Sequence, residues 1–325
     1  MKHTALTTVV LLLAACGDAT DERTPVTVVA SESAITVSGF SSGGYMATQL
    51  HIAHSDRISG LGVVAAGPYW CSKGNLQRAL TTSMAGCDIG IDQLTHHARE
   101  EAAVGRLATM NNLRGSRVWI FRGQDDTVVS DEVSYAAVEF YEQLGDGKLV
   151  AYIDTVAAPH GFPTLATGAD CAEMTTPFIN ACDYDAAGAM LTHVTGIQAT
   201  ATPDASGTIR RVDQSAFTSA GLASEGLMYV PSHCDSVTCD LHVALHGCQQ
   251  STEFVDRRFV ELAGYNRWAD AMNLVVFYPQ VATSAVNPLG CWDWWGYTGP
   301  DFAVQDGPQI TALMALIDSL IAAAP

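Results

Sequence analysis

The chain has 325 residues, 48% of them hydrophobic, enough to bury a full core as one large or two ordinary domains. Lys and Arg number 16 against 34 Asp and Glu, a net charge of −18 with histidine neutral. No basic stretch follows a phosphate backbone, which argues against nucleic acid as a partner, and the acidic balance reads as solubility outside a cell.

Lys2 precedes an apolar run from Ala5 to Ala15 that is too short to span a bilayer. Residues 1–15 therefore read as a signal peptide. Leu13-Ala14-Ala15-Cys16 has the form of a bacterial lipobox, with residues 16–25 as a linker and Cys16 as the lipidation site. The alternative is an ordinary secretory signal with an incidental cysteine. Either way the product is exported: secreted, or an outer-membrane or periplasmic lipoprotein with membrane attachment through Cys16. Setting Cys16 aside leaves eight cysteines, an even number in an exported chain. Eight permit 105 pairings. Local spacing favours Cys71–Cys87, Cys171–Cys182, Cys234–Cys239 and Cys248–Cys291. Zinc is the rival use, but no C-x₂-C pair occurs, and His233 and His246 complete no recognisable ligand spacing. Neither a metal nor an organic cofactor is expected.

Short β-rich runs alternate with helical stretches, the signature of an α/β fold. Residues 34–40 read as a strand, 44–55 as a helix and 60–66 as a buried strand. Residues 92–111 look helical, 117–122 form a strand, 130–144 a helix and 149–153 another strand. The stretch 160–190 is loop-rich. In the second half, 208–214 alternates like a half-exposed antiparallel strand, and 226–231 is its expected partner. Residues 241–246 form a buried strand, 255–272 a helix, 274–278 a strand and 308–323 a final apolar helix.

The strand–helix junction at 39–44 carries the chemistry. Gly39-Phe40-Ser41-Ser42-Gly43 is a G-x-S-x-G box between a strand and a helix, the context of an α/β-hydrolase nucleophile elbow. A serine nucleophile needs a base, and the base an orienting acid; in this fold the order is Ser, Asp or Glu, His. The loop after strand 117–122 offers Asp125 and Asp126. Asp126 fits the Gly-x-x-Asp-x-x-Val phrasing of such loops, although either Asp is also able to cap helix 130–144. One β/α step later, His160 sits in Ala158-Pro159-His160-Gly161. Of the remaining histidines of the mature chain, His51, His54, His96 and His97 lie on helices, His193 in a later stretch without a strand before it, His233 among cysteines, and His242 and His246 on strand 241–246.

The His-Gly step that normally precedes the elbow, and whose loop donates an oxyanion N–H, is found here about 200 residues downstream, at Leu245-His246-Gly247-Cys248. The simplest account is circular permutation of one domain spanning 26–325; the rival is two domains divided near residue 200. The oxyanion donors are then the N–H groups of Ser42 and Cys248. Trp292, Trp294 and Trp295 supply either an apolar wall for a chain-like substrate or ordinary core packing.

Taken together, these phrases resemble the single-domain, circularly permuted extracellular poly(3-hydroxybutyrate) depolymerases. The matching segments are Gly39-Phe40-Ser41-Ser42-Gly43-Gly44-Tyr45-Met46-Ala47, the Asp126-Thr127 loop, His160-x-Phe162-Pro163-Thr164, Leu245-His246-Gly247-Cys248 and Cys291-Trp292-Asp293-Trp294. They run in the family's order over nearly the whole mature chain. The resemblance implies an α/β-hydrolase fold, a Ser41–Asp126–His160 triad, oxyanion amides at Ser42 and Cys248, and a shallow crevice for a polyester or oligoester. A monomer is expected. Two other readings stay open: an esterase or β-diketone hydrolase for another polymer or small ester, and a non-catalytic, ligand-binding surface lipoprotein.

Overall fold

A computed structural model describes residues 35–86, 89–145 and 147–321. The strands are β1 (Ile35–Phe40), β2 (Ile58–Val64), β3 (Arg117–Phe121), β4 (Val150–Ile153), β5 (Phe162–Thr164), β6 (Ala169–Asp170), β7 (Ile179–Ala181), β8 (Thr208–Asp213), β9 (Glu225–Val230), β10 (Asp240–Leu245) and β11 (Leu274–Tyr278). The helices are α1 (Ser42–Ala53), α2 (Leu76–Ala85), α3 (Ile91–Ala103), α4 (Asp131–Leu144), α5 (Ala186–Thr195), α6 (Thr252–Val255), α7 (Arg258–Leu262), α8 (Tyr265–Met272) and α9 (Pro308–Leu320).

Eight strands form one sheet in the order β4-β3-β2-β1-β10-β11-β9-β8. Every pair from β4 through β11 is parallel; β11–β9 and β9–β8 are antiparallel. The two halves of the chain thus share a single sheet, joined at its centre where β1 pairs with β10 in the register Gly39↔Leu245. The strands contributed by the second half all lie to one side of β1, and those of the first half to the other. A second, three-stranded sheet of β5, β7 and β6 lies in the region read as loop-rich. The Cys171–Cys182 bridge closes the segment that leaves β6 and runs through β7.

Both faces of the main sheet are covered, so its central strands are apolar in both directions. Val37, Leu61, Val63, Leu241 and Val243 belong to a core under α1, α3, α4 and α9. Val64, Ala244, Val276 and Tyr278 belong to the opposite core, under α5, α7 and α8. The period-2 alternation of strand side chains divides them this way. On the second face, β1 also presents polar residues. Thr36 Oγ1 and Ser38 Oγ lie 2.8 Å from the Nδ1 and Nε2 of His242, and Ser38 Oγ lies 2.9 Å from the Tyr265 hydroxyl. Burial lowers the His242 pKa to about 3, so the ring is neutral, donating at one nitrogen and accepting at the other.

Several expectations are corrected. The single helix expected over 255–272 is instead α7 and α8, preceded by the one-turn α6, because Asp256 (φ 51°) and Gly264 (φ 89°) take left-handed conformations that separate the three. Residues 92–111 shorten to α3, followed by a separate 3₁₀ turn over Met110–Gly115. The unforeseen α5 packs on β2 and β3, with Gly188 against the Trp268 ring, where a Cβ would come within 2.3 Å.

Three of the four expected disulfides are present: Cys171–Cys182, Cys234–Cys239 and Cys248–Cys291. Cys71 is buried, and its expected partner Cys87 lies outside the described residues. The signal peptide, Cys16 and the linker lie outside them too. Three bridges fit an oxidising compartment. His233, Cys234 and Cys239 are the one His/Cys/acid group, among the described residues, close enough to share an ion. Its two sulfurs are bonded to each other, which disfavours the zinc reading.

Candidate active site

Ser41 stands at the junction of β1 and α1 with φ 53° and ψ −120°, a conformation that non-glycine residues rarely hold. The turn is locked from both sides. The Ser41 N–H donates to Val64 O at 2.9 Å, and its carbonyl accepts from Gly44 and Tyr45. The box glycines leave room for this geometry. A Cβ on Gly39 would sit 2.1 Å from Gly43 O, and one on Gly43 would sit 2.3 Å from Leu245 O. The second contact explains how β10 approaches the elbow so closely: its last carbonyls lie against a residue with no side chain. Ser42 opens α1, so its N–H is one of the unpaired donors at a helix N-terminus.

His160 Nε2 lies 3.0 Å from Ser41 Oγ, and His160 Nδ1 lies 2.9 Å from Asp126 Oδ2. The other oxygen of Asp126 accepts the N–H groups of Val128 and Val129, at 2.8 and 2.9 Å. A carboxylate fixed at both oxygens orients the imidazole rather than following it. Asp126 is buried while Asp125 is exposed, and the Asp125 N–H instead braces Ala158 O just ahead of His160. The Phe40 ring lies 4.9 Å, centroid to centroid, from that of His160 and limits its tilt.

Ser41, Ser42, His160 and Cys248 line one crevice of about 460 Å³. Its walls are apolar: Leu76, Leu80 and Met84 from α2, Val128 and Val129, Phe178, Leu289, Trp294 and Trp295. A second concavity of about 420 Å³ is lined by Arg211, Glu225 and Glu261 among others and holds none of these groups. The register Gly39↔Leu245 places Ser42 and Cys248 at the same carboxyl edge of the sheet.

The 291–298 loop is built around Asp293. Its Oδ1 accepts the N–H groups of Trp295, Gly296 and Tyr297, and its Oδ2 accepts from the N–H and hydroxyl of Thr298. Burial raises the Asp293 pKa, and the Thr298, Tyr297 and Gly296 donors oppose that shift. The loop is tied to the elbow through the Trp292 N–H to Ser42 Oγ at 3.3 Å, and to the loop after β10 through the Cys291–Cys248 bridge. His246 serves this scaffold. Its ring is buried, Nδ1 donates to Gly247 O at 2.7 Å, and burial lowers its pKa to about 4.

The tryptophan expectation divides. Trp294 and Trp295 line the crevice, and Trp294 stacks on Tyr45 at 4.5 Å. Trp292 does not reach it: the ring is 0% exposed and packs beside His246 in the core. The crevice residues of α2 escaped the sequence reading. The i, i+4, i+8 spacing of Leu76, Leu80 and Met84 behind the Asn75 cap was the available signal.

No family model matches the chain. The chain is 40% identical over 292 residues to a poly(3-hydroxybutyrate) depolymerase of Delftia acidovorans, covering 87% of this chain and 58% of that protein. It thus spans less than two thirds of that relative's length. A polyhydroxybutyrate depolymerase of Talaromyces funiculosus is 34% identical over 306 residues, covering 88% of this chain and 89% of the relative. The crystal structure of a PHB depolymerase from Penicillium funiculosum superposes with a TM-score of 0.85 at 32% identity, covering 91% of this chain and 98% of that one. A serine-to-alanine PHB depolymerase complexed with an R3HB trimer matches equally well. At this identity the likeness carries the α/β-hydrolase-type fold of the eight-stranded, mostly parallel sheet.

Proposed function

The chain belongs to the poly(3-hydroxybutyrate) depolymerase family, and on that basis we propose that it is a serine esterase hydrolysing 3-hydroxyalkanoate polyesters or their oligomers through an acyl-enzyme. The observation that carries the proposal is the hydroxyl–imidazole–carboxylate chain, with links of 3.0 and 2.9 Å, at an apolar crevice. A neutral His160 accepts the Ser41 proton at Nε2 as Oγ attacks the ester carbonyl. Asp126 accepts from Nδ1–H, holding the tautomer that leaves Nε2 free, and stabilises the imidazolium. The Ser42 and Cys248 N–H groups donate to the tetrahedral oxyanion; one such donor is worth about 2.7–4 kcal/mol of barrier. Collapse expels the alkoxide, which His160 protonates. Water, deprotonated by the same imidazole, then attacks the Ser41 ester, releasing the acid and restoring the hydroxyl.

The lining suits this substrate class. Trp294, Trp295 and the α2 side chains offer apolar contact to a chain of small branched units. The same features support a single permuted domain over 26–325, since β1 and β10 share one sheet and the Leu245 carbonyl at the end of β10 packs against Gly43. Expression of 26–200 alone tests that reading: a folded, active fragment contradicts it. The disulfides support an exported protein. Lipid attachment at Cys16 is the finer reading, and mass spectrometry of the mature N-terminus decides it.

The substrate reading is tested by parallel assays on (R)-3-hydroxybutyrate oligomers, p-nitrophenyl esters and a β-diketone, with poly(3-hydroxybutyrate) product analysis against Ser41→Ala. Release of hydroxybutyrate units by the wild type alone supports it. Best turnover on the diketone overturns it.

A further inference from the structure

Gln249 immediately follows Cys248 and lines the crevice. Its φ is 58°, in the left-handed region where glycine is at ease and a side chain is strained. Everything around it is fixed. Its N–H donates to Leu289 O at 2.8 Å, and the preceding residue is bridged to Cys291. The next residue, Gln250, accepts from the Gly247 N–H at 2.7 Å and donates to Pro177 O at 2.6 Å. The loop therefore holds a strained position rigidly and keeps a long amide side chain there.

Hydrogen bonding in the crevice singles out the same residue. Ser41 and His160 bond to each other, and Ser42 Oγ accepts from Trp292. Asn287 is saturated, donating to Cys291 O and approaching the Tyr297 hydroxyl while accepting from the Cys291 N–H. Of the Ser, His, Asn and Gln side chains lining the crevice, Gln249 alone commits no side-chain atom to another described residue.

We propose that the Gln249 side-chain amide is a specificity determinant that donates a hydrogen bond to the ester carbonyl of the unit adjoining the scissile one. This rests on the polyester reading above. A hydroxyalkanoate chain repeats a carbonyl every few backbone atoms. A donor one residue beyond the Cys248 amide, about 3.8 Å along the backbone, meets the neighbouring carbonyl once the scissile one is seated. An ester with a single carbonyl has nothing to offer it. Preference for oligomers then arises from a polar contact within a largely apolar cleft, where hydrogen bonding discriminates more sharply than added methylenes do.

The test compares kcat/KM on a linear (R)-3-hydroxybutyrate trimer with kcat/KM on p-nitrophenyl butyrate, for wild type, Gln249→Met and Gln249→Gly. Methionine keeps the unbranched stem and removes the donor; glycine also relieves the backbone. Both variants are expected to lower the trimer-to-monoester ratio by about tenfold, the loss of one hydrogen bond. Gln249→Gly is expected to do so while melting no lower than wild type. A ratio within twofold of wild type in both variants overturns the assignment. A wild type that releases no hydroxybutyrate from the trimer overturns the substrate reading itself, which distinguishes the two failures.

Discussion

Mild acid should destabilise this protein through three buried histidines, two of which brace the strands that carry the site. Burial lowers the pKa of His51 and His242 to about 3 and that of His246 to about 4, from an ordinary 6.5. His242 bridges Thr36 and Ser38 on β1, His246 bonds Gly247 beside the oxyanion loop, and His51 lies between Tyr141 and Ser116. In the unfolded chain each takes up a proton below pH 6.5, while the folded protein keeps it neutral until near pH 3 or 4. Between those limits the unfolded state binds more protons, so stability is fully present above pH 6.5 and falls as pH drops. At pH 5 each histidine contributes a loss of about 2 kcal/mol, or about 6 kcal/mol for the three. The raised pKa values of Asp240 and Asp293 act in the opposite sense and offset part of this. Urea denaturation at pH 7, 6 and 5 measures the slope, and His242→Gln should remove about a third of the histidine contribution. Stability that is flat from pH 7 to 5, or resonances of His51, His242 and His246 titrating near 6.5 in the folded protein, would refute the reasoning.

Asp126→Asn should leave the fold intact, because Val128 and Val129 still find an acceptor, but it offers His160 Nδ1 the wrong partner. A fall in kcat of about 10⁴, the effect of the equivalent change in a serine-protease triad, is expected in steady-state assays. Cys291→Ala opens a bridge between residues 43 apart, and equilibrium unfolding should show a loss of about 4 kcal/mol. Esterase kcat should fall as well, since the bridge ties the Cys248 amide to the Asp293-centred loop; a variant that is less stable but unchanged in kcat would detach the bridge from the oxyanion site.

Much of the site was legible in the sequence because its parts are local. The elbow announces itself through Gly39 and Gly43, whose missing Cβ atoms the turn and β10 require. Asp126 and His160 were found by their place after successive parallel strands, which puts them at one sheet edge without any knowledge of distance. What sequence could not weigh was burial. Trp292 belongs to the same aromatic run as Trp294, yet the loop turned by Asp293 sends one into the core and the other to the crevice. The breaks at Asp256 and Gly264 are left-handed backbone conformations, which depend on the surrounding fold and not on the residue pattern of 255–272. The α5 helix lies in the Ala-rich segment just past Cys182 and buries small and large residues alike, Ala186, Ala187, Gly188, Met190, Leu191 and Val194, leaving little amphipathic signature.

The most direct measurement is covalent labelling of the nucleophile. Wild-type protein treated with an organophosphorofluoridate, then mapped by peptide mass spectrometry, should carry one adduct, on Ser41, with hydrolysis lost in proportion to its formation. His160→Ala should label far more slowly, because the hydroxyl loses the base 3.0 Å away. Labelling at another residue, or esterase activity that survives complete modification of Ser41, would contradict the account.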